Sequence, residues 1–188
     1  MPLTLDTIRQ WHVDAMEGLD VTVEELGIGD RRLVGAFRGE PGLETIGVKI
    51  GRHDGVHPAF VADQLDRLED ALGAAIGRLD RFYPPGAELD EDGRRTIVEF
   101  CAMMHAEWVR IHPLANGNGR VARLLVNAIA ARYGLPQFVN ARPRPNGGYA
   151  EAGEQAMVGN WRPTAEFFWK MFNEAIDDVD EPPPDGPP

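Results

Sequence analysis

The chain has 188 residues, 43% of them hydrophobic and 26% charged, with a formal net charge of -11 at pH 7. That size and balance fit one globular domain with a real core, and the acidic excess excludes a general nucleic-acid or anionic-membrane surface, which needs a basic face for counterion release. A single cysteine, Cys101, excludes an internal disulfide, and the absence of serine excludes a Ser-His-Asp mechanism.

The first ten residues, MPLTLDTIRQ, carry no basic segment followed by an apolar run, and no window is apolar for long enough to span a bilayer, so a cytoplasmic location is expected. Abundant Pro, Gly, Ala and Arg are compatible with a GC-rich bacterial coding sequence. Ile8, Trp11, Val13, Ala15 and Leu19 predict a first helix over residues 5 to 19, with Asp6 as a cap candidate. Residues 29 to 57 change character: Gly and charge punctuation surround the patch from Leu33 to Phe37 and the alternating Ile46, Val48 and Ile50. With Asp54-Gly55 as a tight-turn signal, a small hairpin is predicted around residues 45 to 57.

Pro58 suits a first helical turn, and Phe60, Val61, Leu65, Leu68, Leu72, Ala75, Ile76 and Leu79 recur at helical spacing up to the Tyr83-Pro84-Pro85-Gly86 break. A third helix opens in the acidic stretch Asp90 to Asp92 and runs through Ile97, Val98, Cys101, Met104, His105, Trp108 and Val109. It stops by His112, because the residue before Pro113 is pushed out of the α region. A fourth runs from about Asn118 to Tyr133 on Val121, Leu124, Leu125, Ala128 and Ile129, closed by Gly134. Two shorter helices follow near 147 to 158 and 163 to 178. The stretch DDVDEPPPDGPP (177 to 188) has almost nothing apolar to bury and is predicted disordered. The expected architecture is all-α: a single domain over residues 1 to 176, built as a helical bundle with one projecting hairpin.

The segment HPLANGNGRVAR (112 to 123) carries the chemistry. One helix ends at His112, a Gly-Asn-Gly turn follows, and the next helix opens with free N–H groups facing the turn, which favours an anion. Arg120 and Arg123 share a face of that first turn, where cations oppose the helix dipole unless a bound anion reverses the sign. His112 is the one side chain there able to exchange a proton near neutral pH. Separately, a His before Pro is most often a loop residue, and two helical arginines most often a solvated face. In this order and spacing they form a specific signal.

The segment resembles the signature of the Fic family, His-Pro-Phe-x-(Asp/Glu)-Gly-Asn-Gly-Arg-x-x-Arg, matched at His112, Pro113, Gly117, Asn118, Gly119, Arg120 and Arg123. The preceding HAEWVRIHP and, upstream, GAFR (35 to 38) and IGVKIGRHDGVHP (46 to 58) also resemble the family, so the likeness spans roughly residues 5 to 172. It implies a nucleotidyl transferase that moves AMP from ATP to a Thr, Ser or Tyr hydroxyl of a protein and releases pyrophosphate. By position, His112 is the implied general base, Gly117 to Gly119 the amide cradle with a side-chain contact from Asn118, and Arg120 and Arg123 the clamp on the departing phosphates.

Two positions depart from the family pattern. Leu114 replaces Phe and keeps an apolar anchor. Asn116 replaces the carboxylate that the resemblance makes a Mg²⁺ ligand, and an amide oxygen coordinates a hard cation without contributing charge. At about 4 Å and an effective dielectric near 20, each charge–charge term is on the order of 4 kcal/mol before screening, so weaker metal binding is expected. The residues leave three consequences open: substrate phosphates alone hold the metal, another carboxylate substitutes, or the usual transfer is lost.

The family's inhibitory pattern, (Ser/Thr)-x-x-x-Glu-(Gly/Asn), is missing, since no threonine has a glutamate four residues later. Arg123 is therefore expected to have no internal inhibitor, with restraint from a separate partner or none. The hairpin edge at Ile46, Val48 and Ile50 is a candidate docking strand for a protein substrate, while a hairpin that merely covers core has similar support. His105, Trp108, Trp161, Phe167, Phe168 and Trp169 read as core, His53 and His57 as solvated. The competing functional reading is a non-catalytic nucleotide-binding or docking module, or transfer of a different phosphate-linked group.

Overall fold

A computed structural model describes residues 3–19 and 33–180. Among them run α1 (Leu5–Met16), the strands β1 (Lys49–Ile50) and β2 (His53–Asp54), a 3-10 turn (Pro58–Phe60), and α2 (Val61–Phe82), α3 (Glu91–Ile111), α4 (Asn118–Arg132), α5 (Tyr149–Ala156) and α6 (Arg162–Asp180). The all-α expectation with a single small hairpin holds. Residues 29–32 of the expected irregular stretch lie outside the described residues.

Helix α3 is the axis of the bundle. Asp90 caps it by accepting the Gly93 N–H at 2.8 Å, Glu91 and Asp92 complement the dipole in its first turn, and twelve of its 21 residues are buried. A helix apolar on nearly every side needs partners all round; α4 and α6 pack on it most extensively, with α2 and α5 filling the remaining faces. Helix α2 is one-sided, burying Val61, Leu65, Leu68 and Leu72. Phe60, expected on that stripe, belongs to the 3-10 turn and is 59% exposed, beside the ring of His57. Cys101 is fully buried and its Sγ donates weakly to the Val126 carbonyl, so burial pushes its thiol pKa far up and it is structural.

Three boundaries differ from the sequence reading. The cap of α1 is Thr4, whose Oγ1 accepts the Thr7 N–H, and the helix buries Ile8, His12 and Met16 while Val13 faces outward. His12 is tolerated inside because its Nδ1 accepts the Gly35 N–H at 2.9 Å. In the hairpin, Lys49 pairs with Asp54 and Ile50 with His53, so the turn is Gly51-Arg52 and not Asp54-Gly55. Gly55 instead extends the second arm, donating its N–H to the Val48 carbonyl at 3.0 Å. Finally, α6 continues through Asp180, four residues into the stretch predicted disordered; residues 181–188 lie outside the described residues. Gly134, as expected, closes α4 in the left-handed region with φ 72°.

Candidate active site

The signature loop is held from within and from three distant segments. His112 leaves α3 in the left-handed region at φ 51° and ψ 56°, the only non-glycine with positive φ among the described residues. Such a conformation costs about 1–3 kcal/mol and persists only where the surroundings enforce it. The enforcement comes from Arg38, which is 1% exposed: its Nε donates to the His112 carbonyl at 2.8 Å, Nη1 to Ile46, and Nη2 to Val56 and Ile111. The carbonyls of Ile111 and His112 form the negative end of α3, so the guanidinium also answers that dipole. The Arg38 N–H donates to the Pro113 carbonyl at 2.7 Å, and Phe37 bridges Leu114 as a one-residue antiparallel pair. Leu114 is fully buried, which confirms the apolar anchor.

Asn118 locks the loop internally. Its Oδ1 accepts the Leu114 N–H at 2.9 Å and its Nδ2 donates back to the Leu114 carbonyl at 2.6 Å. The side chain is thus turned inward and buried, which corrects the expectation that it contacts phosphate: it shapes the cradle instead. Asn118→Ala leaves both Leu114 backbone groups without their partner, at a cost of about 2–3 kcal/mol; urea denaturation reads the loss as a lower midpoint with unchanged slope. Gly117 caps α4 at φ 80°, and a Cβ there would lie 2.9 Å from His12 Nε2, so α1 presses directly on the loop.

A cavity of about 310 Å³ opens on this loop. His112, Asn116, Gly117, Gly119, Arg120 and Arg123 line it, together with Ile50 from the hairpin, His105 and Val109 from α3, and Arg144, Tyr149, Ala150 and Gly153 from the segment leading into and through α5. A larger cavity of about 610 Å³ beside Leu89, Tyr133 and Phe172 contains no signature residue. At the start of α4 the Arg120 N–H donates to the Gly117 carbonyl at 3.0 Å, while the N–H groups of Asn118 and Gly119 precede the first intrahelical acceptor, so the loop end of the cavity is positive by construction.

His112 has the wiring of a base. Its Nδ1 lies 3.1 Å from the Val109 carbonyl, which can only accept, so Nδ1 carries the proton and Nε2 keeps its lone pair. Burial, reinforced by the charge of Arg38, lowers its pKa to about 4, against a smaller raising effect from the Val109 carbonyl. The imidazole is therefore neutral throughout the physiological range.

The arginines are positioned from outside the signature. Arg120 donates through Nη1 to the Ala15 carbonyl at 3.1 Å, at the end of α1. Arg123, 4% exposed, donates through Nη1 to Tyr149 Oη at 3.2 Å and through Nη2 to the Ala141 carbonyl at 2.8 Å, while its Nε has no partner among the described residues. Because Tyr149 Oη accepts from Arg123, its own proton goes to His105 Nε2, 2.7 Å away. His105 is thus a satisfied core residue on that nitrogen, as expected from its stripe, and it also orients the tyrosine.

Buried neutral histidines make stability pH-dependent. Burial lowers His105 from its ordinary 6.5 to about 3 and His12 to about 4. The unfolded chain then binds protons that the folded chain refuses, so this stabilisation is complete above pH 6.5 and is lost as pH falls toward 4 and 3. For each histidine the slope in that window approaches about 1.4 kcal/mol per pH unit; a melting-temperature series between pH 7 and 4.5 reads it, and His105→Gln flattens it.

Of the predicted site residues, His112, Asn116, Gly117, Gly119, Arg120, Arg123 and Ile50 line one cavity; Asn118 lies buried behind the loop, and two residues of the hairpin stand apart. Ile46 is buried against Met16, Leu33 and Leu43 and its carbonyl is held by Arg38, so it offers no docking edge; the alternating pattern marked a core contact there. Val48 is half-buried and does not reach the cavity, whereas Ile50 lines it. Arg38, His12, Tyr149 and Arg144 were not legible as site residues. GAFR hinted at Arg38, but no local pattern distinguishes a buried arginine from a solvated one.

The Mg²⁺ implied by the resemblance does not fit this donor set. Among the described residues the cavity is lined by three arginines and no carboxylate, and the Asn116 Oδ1 accepts the Gly117 N–H at 2.6 Å. Among the described residues no group of three or more His, Cys, Asp or Glu gathers as a metal site. A hard cation is held by oxygen ligands and most tightly by charged ones, and the protein offers it here no charged oxygen among the lining residues.

Comparison with known proteins places this architecture. The family model described as "Fic/DOC family" matches residues 2–130. Over 80 residues, 43% of this chain and 18% of the relative, the chain is 41% identical to "Protein adenylyltransferase Fic" of Nematostella vectensis. Over 164 residues, 86% of this chain and 30% of the relative, it is 32% identical to the protein of the same name in Drosophila yakuba. The chain spans less than a third of the length of these curated relatives. Among solved structures, the BepC protein of Bartonella tribocorum with bound AMPPNP superposes with a TM-score of 0.61 at 17% identity, covering 89% of this chain and 73% of that one. Fic-1 from C. elegans superposes with a TM-score of 0.53 at 24% identity, covering 94% and 42% respectively. By its family match and the helical fold it shares with these structures, the chain belongs to the Fic/DOC family.

Proposed function

We propose that the protein is a nucleotidyl transferase that moves AMP from ATP to a Thr, Ser or Tyr hydroxyl of a target protein. The observation that carries this reading is the convergence in one cavity of His112, with its Nε2 lone pair free, and of Arg120, Arg123 and the α4 N-terminus. The target hydroxyl gives its proton to His112 Nε2 as its oxygen bonds to the α-phosphorus. The bond from that phosphorus to the bridging oxygen breaks and pyrophosphate leaves, its charge met by the two arginines. Such transfer needs positioning and charge stabilisation more than covalent catalysis. The names of the curated relatives and the AMPPNP in BepC support ATP as donor.

The protein substrate docks at the hairpin beside Ile50, since that residue both stands on β1 and lines the cavity. Restraint of Arg123 by a separate partner belongs to this reading; a gain of transfer on trimming either terminus counts against it.

Asn116 favours a second reading, a binding module without catalysis, or one with a different phosphate-linked cargo. Retention of a neutral, oriented His112 favours the enzyme, because a binding module has no use for the base. Incubation with α-labelled and γ-labelled ATP in a host lysate separates them. The expected result is protein labelling from the α position only, lost in His112→Ala. Nucleotide binding without labelling would establish the module instead.

A further inference from the structure

Four guanidiniums gather at one end of an acidic chain, with no carboxylate paired to them among the described residues. Arg120, Arg123 and Arg144 line the cavity, and Arg142 stands next to it on the same segment as Arg144, donating to the Ala15 carbonyl that Arg120 also uses. None of the four forms an ion pair among the described residues, although the chain holds 30 acidic residues against 19 basic ones. Burial and the nearby charges of Arg142 and Arg123 lower the pKa of Arg120, so the cluster repels itself. Arg123 keeps a buried Nε without an acceptor among the described residues. Such an arrangement persists at a cost that a bound polyanion removes.

Arg144 is the member outside the signature. Its guanidinium lies 5.5 Å from the centre of the Tyr149 ring, and that of Arg123 lies 5.6 Å from the same centre, so one ring orients both. Arg144 is exposed and bonded to no backbone group among the described residues, which presents its planar fork to a phosphate. The position where a carboxylate would recruit a cation is Asn116, whose oxygen is neutral and accepts the Gly117 N–H.

We infer that this site binds its polyphosphate free of divalent cation, with Arg144 supplying the positive charge that a metal would bring. The inference rests on the reading of this cavity as the nucleotide site. Its consequence is a reversed metal preference: three guanidiniums repel Mg²⁺, so ATP bearing its full charge binds at least as well as its magnesium complex.

Titration calorimetry of the whole chain tests this with ATP and with inorganic tripolyphosphate, each in EDTA and in millimolar Mg²⁺. Binding in EDTA equal to or tighter than in Mg²⁺ is expected for both. Arg144→Gln is expected to weaken binding in EDTA by about tenfold, with partial recovery in Arg144→Lys, as fits loss of one charge-assisted contact. Asn116→Asp is expected to introduce Mg²⁺ dependence. A melting curve confirms that the exposed Arg144 variants stay folded. Binding seen only with Mg²⁺, or unchanged by Arg144→Gln, overturns the inference while leaving the nucleotide reading intact. Metal-free binding of tripolyphosphate without any of ATP supports the inference and removes the nucleotide reading.

Discussion

Replacing His112 by alanine is expected to lower AMP transfer by about 10²–10⁴-fold, the usual contribution of a positioned general base, while leaving nucleotide binding within a fewfold of the parent. Among the described residues the imidazole makes one polar contact, to the Val109 carbonyl, so its removal spares the loop that Arg38 and Asn118 hold. The pH profile is the sharper readout. A base must be neutral to act, and burial holds the His112 pKa near 4, not 6.5. The rate in the acid range should therefore stay flat from pH 7.5 down to about 5.5, where a solvated histidine would already have lost most of its activity. Bound polyphosphate raises that pKa and moves the acid limb upward, so the limb of kcat should lie above the limb of kcat/KM. An acid limb of kcat/KM centred at 6.5 would show that His112 is not the buried base this geometry describes. Titration of the imidazole by NMR in the ligand-free chain gives the same value independently of turnover.

Arg38→Met is expected to destabilise the fold by on the order of 3–5 kcal/mol and to abolish activity. Four carbonyls, those of Ile46, Val56, Ile111 and His112, lose a charged donor in a buried place, and an unsatisfied buried polar group costs about 1–3 kcal/mol. Some of those groups regain water as the hairpin loosens, so the costs do not simply add. Arg38→Lys keeps the charge and one nitrogen, which reaches only part of the set, so roughly half the loss is expected to return. Denaturant midpoints measure both variants. Near-parental stability in Arg38→Met would mean that the loop holds His112 in its left-handed conformation unaided. Activity separates two roles here: Arg38→Lys should recover stability more fully than turnover, because the angle of His112 depends on the bond from Nε to its own carbonyl.

Local physics made much of the protein legible. The spacing of Val61, Leu65, Leu68 and Leu72 is a helical stripe whatever lies across from it, and Asp90 caps α3 through a bond only three residues long. Pro113 forbids the helix to continue, and Gly134 ends the next one, for reasons contained within a few neighbours. The signature from His112 to Arg123 was likewise readable because its parts lie within twelve consecutive residues.

Tertiary structure decided what those local rules leave blank. Arg38 reaches His112 across 74 residues, and His12 meets Gly35 across 23. Tyr149, which holds Arg123, and His105, which holds Tyr149, come from different helices, and each looks like an ordinary core residue in its own stretch. Ile46 alternates with Val48 and Ile50 like a docking strand, yet the core claims it and leaves Ile50 to the cavity. Asn118 looks like a ligand for phosphate until its two bonds to Leu114 turn it inward. Periodicity, caps and turns depend on adjacent residues and so are written in sequence order. The partner of a buried polar group is chosen by whichever segment packing brings opposite it, and that choice exists only in the folded chain.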